Sequence, residues 1–145
     1  MKKTGLFCRT ANDLRTANGP GYLAEKALET FLLGVDYAVS SIRNPAEIKI
    51  LKRDKEFTLV SIDAPLSDRY ARALLTGDKK FQTFEEFAVS EEKEKSSDPN
   101  GQQIHTCMNM ANYHIFNSGI KPEDIIQLER KIDELLVQLK DKRQK

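Results

Sequence analysis

The feature that most constrains this fold is a strand-to-helix junction at Tyr37–Glu47, whose sequence is YAVSSIRNPAE. Its first half has the apolar, partly β-branched character of a short buried strand. Asn44, Pro45 and Glu47 then supply an N-cap, a first-turn proline and a capping-box acid in the expected order. In an open α/β sheet, ligands bind beyond the carboxyl ends of the strands. We therefore expect the polar side chains of this junction to face a ligand: Ser40, Ser41 and Arg43. The alternative is that Arg43 only pairs with a surface carboxylate.

The rest of the chain alternates helical and strand patterns. FTLVSIDA at 57–64 has the composition of a strand buried on both faces, and YHIFN at 113–117 predicts another short strand. Apolar periodicity and capping signals predict helices over 10–17, 22–33, 44–53 and 67–75, from Thr83 onward, over 104–111 and from Pro122 onward. This order predicts one α/β domain over 1–145, a three-layer parallel sheet with helices on both faces. Since only three strands are visible, either residues 1–10 contain another or the sheet is incomplete.

Composition excludes several classes of function. The 145 residues suit one domain, and a net charge of +1 argues against nucleic-acid binding. No apolar run is long enough to span a membrane, and Thr4–Cys8 is too short for a signal-peptide core, so we expect a cytoplasmic protein. Cys8 and Cys107 stand apart and predict reduced thiols. His105 and His114 have no cysteine or carboxylate cluster near them in the sequence, so no metal site is expected.

The common catalytic motifs are missing from the sequence. It contains no GxxxxGK followed by Ser or Thr, no GxGxxG, no HExxH and no GxSxG. Polar groups do follow the predicted strands, namely Arg43, Arg69, Arg72 and Asn117. Arginine suits phosphate because its planar fork bonds oxyanions in a bidentate manner and stays charged. An anion site at the strand ends is therefore one hypothesis, and separate surface ion pairs are the other.

A family resemblance adds to this pattern. Five blocks of sequence follow one another ahead of a final helix. They are ANDLRTANGPGYLAEKAL, YAVSSIRNPAEI, FTLVSIDAPLSDRYAR, TFEEF with EEKEKSSDPNGQQI, and CMNMANYHIFNSG. Over residues 10–139 this succession resembles the later two-thirds of the P-loop nucleotide kinases and dephospho-CoA kinase-like proteins. The resemblance implies ATP and Mg²⁺ as cofactors, although the sequence identifies no protein ligand for the metal. In that family a phosphate-binding loop and the first, central strand come before the first block, and this chain begins after them.

On the acceptor side, the resemblance assigns substrate binding to three residues. Asn12 and Arg15 would lie on the helical region that covers the acceptor nucleotide. Arg43 would hold the acceptor's phosphate. The chain has Ser40 where the family usually has an acidic residue that helps to position magnesium or substrate, which puts that function in doubt.

On the ATP side, the resemblance assigns catalysis to Arg69 and Arg72, which would begin the lid that closes over the transferring phosphoryl group. The turn Asn117-Ser118-Gly119 would contact adenine. Thr76 stands where the family has a further lid arginine.

Three functions remain open from the sequence. The first is a nucleotide kinase-type phosphotransferase, weak or inactive alone because phosphoryl transfer depends on positioning and charge neutralisation by the missing loop, its lysine and the metal. The second is a non-catalytic nucleotide-binding or regulatory module. The third is a domain that binds an unrelated partner. The partners expected are a nucleotide or other phosphorylated small molecule, with a homo-oligomer or a partner chain completing the sheet.

Overall fold

The computed structural model describes residues 4–53, 56–77, 80–93, 95 and 97–143. In chain order its elements are α1 (Thr4–Asn18), α2 (Tyr22–Leu28), α3 (Pro45–Leu51), β1 (Val60–Asp63), α4 (Leu66–Leu75), α5 (Phe84–Lys93), α6 (Ile104–Asn109), β2 (Tyr113–Phe116) and α7 (Pro122–Arg143). Within these ranges, no helix is both long and apolar enough to cross a membrane.

The predicted three-layer parallel sheet is wrong. Across the described residues, seven helices accompany one sheet of two strands. The parallel pairing of β1 with β2 agrees with the prediction, with Val60 opposite Tyr113 and Asp63 opposite Phe116. Residues 37–43 form no strand. An apolar, β-branched composition raises the propensity of a segment to form a strand. A strand forms, however, only where a neighbouring backbone completes its hydrogen bonds.

Residues 35–43 form an irregular, mostly exposed segment. Tyr37 and Val39 are exposed, and Ser41 has a φ of 64°, in the left-handed region that interrupts an extended strand. Nearby, Phe31 and Tyr37 stack with ring centroids 4.2 Å apart. The apolar side chains that predicted a buried strand therefore have no sheet to pack into within this segment.

The chain forms two compact units, each built from two stretches of sequence. The first unit comprises 1–59 and 91–112, and the second comprises 60–90 and 113–145.

The core of the first unit centres on α3. Ile48, Ile50 and Leu51 are buried on this helix. The residues that pack with them are Ala24, Leu28, Ile42, Phe57, Leu59, Cys107, Met110 and Ala111. The approach of α2 to α3 is close, because a Cβ on Gly21 would overlap the Ile50 side chain. Glycine at this position lets the two helices pack together.

The second unit contains β1, β2, α4, α7 and the first part of α5. Tyr70 on α4 makes ring contacts with Phe84 and Phe87 on α5. Helix α7 packs on β2, where Leu135 is buried and Lys131 donates its Nζ proton to the Phe116 carbonyl at 2.9 Å. The ring contacts join α4 to α5, and α7 covers β2.

Some of the predicted helix boundaries are confirmed and others are wrong, at starts as well as at ends. The capping box at Asn44 is confirmed, with Pro45 in the first turn of α3. Helix α2 ends at Leu28, where we expected residue 33, and α4 is capped at Pro65 instead of Ser67. Amphipathic periodicity continues past the end of α2, but backbone hydrogen bonds at residues 29–31 turn the chain out of the helix.

Candidate functional site

A buried ion pair joins α1 to α3. Arg15 donates from Nε and Nη2 to Glu47 Oε1 at 3.0 and 2.7 Å, and both side chains are about 4–5% exposed. Arg15 also donates from Nη1 to Asn12 Oδ1 at 3.2 Å. The structure thus brings together the two residues assigned to the acceptor nucleotide, but the Arg15 guanidinium is directed at Glu47.

The other oxygen of Glu47 fixes the backbone before α3. Oε2 accepts from the N–H groups of Arg43 and Asn44 at 3.0 and 3.1 Å. The Asn44 side chain accepts from the Ala46 N–H and donates to the carbonyls of Pro99 and Gly101 at 2.7 and 3.0 Å. One carboxylate and one amide therefore tie α1, α3 and the 99–101 turn together.

Arg43 has a fixed backbone and an exposed side chain. Its N–H is held by Glu47, and its carbonyl accepts from the Gln103 N–H at 2.8 Å. Its Nη1 donates to Gln102 Oε1 at 3.1 Å. The junction also exposes Ser40 and Ser41. Among the described residues no carboxylate forms an ion pair with Arg43, so its charge is displayed beside neutral polar groups.

In the second unit, Arg72 holds the turn after β2. Its Nη2 donates to the Asn117 carbonyl at 2.8 Å and to Asn117 Oδ1 at 3.2 Å, and its Nε donates to the Gly119 carbonyl at 3.1 Å. Asp68 Oδ2 accepts from the Gly119 N–H at 2.6 Å. The lid arginine and the adenine turn implied by the resemblance are thus brought together, and in this arrangement they satisfy each other.

The two remaining residues assigned on the ATP side lie on the same helix and in the same turn as this cluster. Arg69 is half-buried on α4, and Ser118 is exposed in the turn. The predicted convergence of Arg43 with Arg69 and Arg72 stays a prediction, because Arg43 belongs to the first unit and the other two to the second.

A shallow cavity of about 290 Å³ lies between β2 and α7, lined by His114, Ile115, Phe116, Lys131, Glu134, Leu135 and Gln138. None of the residues assigned from the sequence lines it. His114 Nδ1 and Ser61 Oγ are 2.7 Å apart across the strand pair. Since Ser61 is buried, this contact ties the two strands together.

Burial raises the pKa of the Cys107 thiol from 9.0 to about 11, and the negative charge of Glu47 adds to the effect while Arg15 opposes it. The thiol, 5% exposed, is therefore a protonated core group at neutral pH.

Within the described ranges, no group of three or more His, Cys, Asp or Glu side chains is arranged to hold a metal ion.

Two important residues were missed at this site. Glu47 was assigned only as a helix-capping acid, and it also neutralises Arg15. Asp68 was not assigned to the site from the sequence, yet its carboxylate accepts a hydrogen bond from the Gly119 N–H. The capping-box spacing was the only sequence signal for Glu47. No pattern in the sequence predicted its ion pair with Arg15, which lies 32 residues away.

No family model, no curated protein and no solved structure matches this chain.

Proposed function

We propose that this chain is a non-catalytic module that binds a phosphorylated small molecule through Arg43. The single observation that carries the proposal is the exposed guanidinium of Arg43 on a backbone fixed by hydrogen bonds at both its N–H and its carbonyl. Nucleotides are the first class of ligand to test, on the strength of the kinase resemblance.

Three properties of Arg43 support phosphate binding. Its backbone is already ordered, so binding costs mainly the ordering of the side chain. Its charge has no carboxylate partner among the described residues. Gln102 orients one edge of the guanidinium through a neutral acceptor, which leaves the positive charge for an oxyanion.

We do not propose phosphoryl transfer. Such a reaction requires groups that neutralise the developing charge on the transferring phosphoryl. Arg72 donates to the carbonyls of Asn117 and Gly119, and using it in a reaction would break those bonds. We expect no transfer from ATP to a nucleoside monophosphate above background. A cytoplasmic location is part of the proposal, because nucleotide pools and a reduced Cys107 thiol are both found there.

The test is a calorimetric titration with AMP, CMP and inorganic phosphate. Replacing Arg43 by alanine removes a charge-assisted contact worth about 1.5–3 kcal/mol, so the phosphorylated ligands should bind roughly 10–150-fold more weakly. Arg53→Ala is the matched control, because Arg53 is an exposed arginine of the same unit just beyond α3. Adenosine, which lacks phosphate, should bind both variants and the parent protein equally weakly.

Two results would contradict the proposal. One is an equal loss of phosphate affinity in Arg43→Ala and Arg53→Ala, which would indicate a diffuse effect of charge. The other is no measurable binding of any phosphorylated ligand by the parent protein.

A further inference from the structure

The sequence contains two Asn-Gly pairs, Asn18-Gly19 and Asn100-Gly101, both in the first unit. An asparagine before glycine is prone to spontaneous deamidation, because glycine has no side chain to hinder the approach of its backbone nitrogen. This nitrogen attacks the side-chain carbonyl carbon of asparagine, loses its proton and expels ammonia, which leaves a cyclic succinimide. Water then opens the ring at either carbonyl and gives aspartate or isoaspartate. Water is the only other reactant.

At the first pair, the structure opposes this reaction. Asn18 is the last residue of α1, and its Nδ2 donates to the Leu14 carbonyl at 3.1 Å. The Gly19 N–H donates to the Arg15 carbonyl at 2.8 Å. The leaving group and the attacking nitrogen are therefore both bound to the last turn of the helix. Ring closure at Asn18 has to break both of these hydrogen bonds.

At the second pair, only the attacking nitrogen is held. Residues 98–101 form a tight turn, in which the Gly101 N–H donates to the Asp98 carbonyl at 2.9 Å and the Asn100 N–H donates to Asp98 Oδ1 at 3.0 Å. Among the described residues, the side chain of Asn100 makes no hydrogen bond. Asp98 and Pro99 are exposed. Opening this one turn is therefore enough to bring Asn100 to the reactive conformation.

We propose that Asn100 is a site of spontaneous deamidation and that its isoaspartate product releases the turn from the start of α3. The buried Asn44 side chain donates from Nδ2 to the Pro99 and Gly101 carbonyls at 2.7 and 3.0 Å. These two carbonyls flank Asn100. Isoaspartate directs the main chain through its Cβ and Cγ atoms and so adds a carbon atom between them. The Asn44 amide then loses the spacing that lets it reach both carbonyls.

The residues that follow Asn100 are displaced by the same insertion. The Gln103 N–H donates to the Arg43 carbonyl at 2.8 Å, and Gln102 Oε1 accepts from Arg43 Nη1 at 3.1 Å. Both contacts lie directly after the modified link, so the longer main chain moves them out of register with Arg43. Deamidation of Asn100 therefore loosens the contacts of residues 99–103 with the N-terminus of α3.

Incubation of the full chain at mildly alkaline pH, followed by peptide mass mapping, tests the choice of site. Isoaspartate at residue 100 is recognised by the altered retention of its peptide on chromatography. In the folded protein Asn100 should deamidate roughly 2–10-fold faster than Asn18, because reaction at Asn18 must break one more hydrogen bond. In concentrated urea, where neither segment is folded, the two rates should become similar.

Thermal unfolding of the incubated protein tests the consequence. Its melting temperature should fall by roughly 3–10 °C, because the buried Asn44 amide loses its acceptors. Incubated Asn100→Gln should melt like its own fresh sample, since glutamine keeps an amide but closes a larger ring far more slowly. Asn18→Gln is the matched control, and on incubation it should lose as much as the parent protein.

Three results would overturn the proposal. One is a rate of deamidation at Asn18 that equals or exceeds the rate at Asn100 in the folded protein. Another is an unchanged melting temperature in protein that carries isoaspartate at residue 100. The third is an equal loss of melting temperature on incubation of Asn100→Gln and of the parent protein.

Discussion

The Glu47→Gln substitution is the sharpest test of how the first unit is held together. Each oxygen of this carboxylate accepts two hydrogen bonds, Oε1 from the Arg15 guanidinium and Oε2 from the backbone N–H groups of Arg43 and Asn44. Glutamine keeps the size of the side chain but has one oxygen. Its amide nitrogen must therefore face either the guanidinium or the two backbone donors.

The magnitude follows from burial. Arg15 and Glu47 are both about 4–5% exposed at the side chain, so the substitution leaves a buried cation without its counter-ion. Removing one partner of a buried pair costs about 3–5 kcal/mol. For a chain of this size we expect the melting temperature to fall by roughly 10 °C.

Urea unfolding followed by circular dichroism measures the change in the free energy of unfolding. The control is Glu29→Gln, which removes the charge of an exposed glutamate paired with Lys26, and it should barely move the midpoint. If Glu47→Gln costs no more than this control, the carboxylate is not buried with Arg15 and the description of the first unit fails. Combining Glu47→Gln with Arg15→Met should cost less than the sum of the two single changes, since the two residues share one interaction.

Two further predictions concern the other anchored groups. Arg72→Lys should destabilise the chain by about 1–3 kcal/mol, because a lysine cannot donate to the Asn117 and Gly119 carbonyls at the same time, as the guanidinium does. The same urea titration measures this loss. An unchanged midpoint would show that the guanidinium contacts do not stabilise the chain. In a Cys8→Ser background, iodoacetamide should alkylate Cys107 slowly at pH 8, and thiolate in the folded state should become appreciable only near pH 11. Because the folded pKa is raised, the stability that this thiol contributes is complete below about pH 9 and is lost between pH 9 and 11; alkylation of folded protein at the rate of a free thiol at pH 8 would contradict this.

Local chemistry in the sequence predicted local structure well. The start of α3 was predicted correctly from Asn44, Pro45 and Glu47, because each of them stabilises a helix start through contacts within one helical turn. The strands at 60–63 and 113–116 were found because their apolar, β-branched runs are short and bounded by turn residues. The segment 37–43 has the same composition, but pairing depends on a partner strand that composition does not encode.

The candidate site was predicted less well for a similar reason. Arg43 and Arg72 were chosen as phosphate ligands by residue type and position, and Arg15 was assigned to the acceptor nucleotide by the family resemblance. Only their partners distinguish them, since Arg15 meets the buried Glu47, Arg72 meets backbone carbonyls and Arg43 meets a neutral glutamine. Those partners lie 32 to 59 residues away in the sequence, so no local pattern reports them.

The interleaving of the two units has a consequence for synthesis on the ribosome. The chain passes from one unit to the other after residues 59, 90 and 112. Ile48 and Leu59 emerge long before Cys107, which packs with them, while the 31 residues 60–90 of the second unit are made in between. The part of the core around Ile48 that packs with Cys107 therefore stays uncovered until the second stretch of this unit is made, and exposed apolar surface of this kind is what chaperones recognise in nascent chains. Neither unit is a continuous stretch of sequence, so neither can finish folding before the second half of the chain has left the exit tunnel.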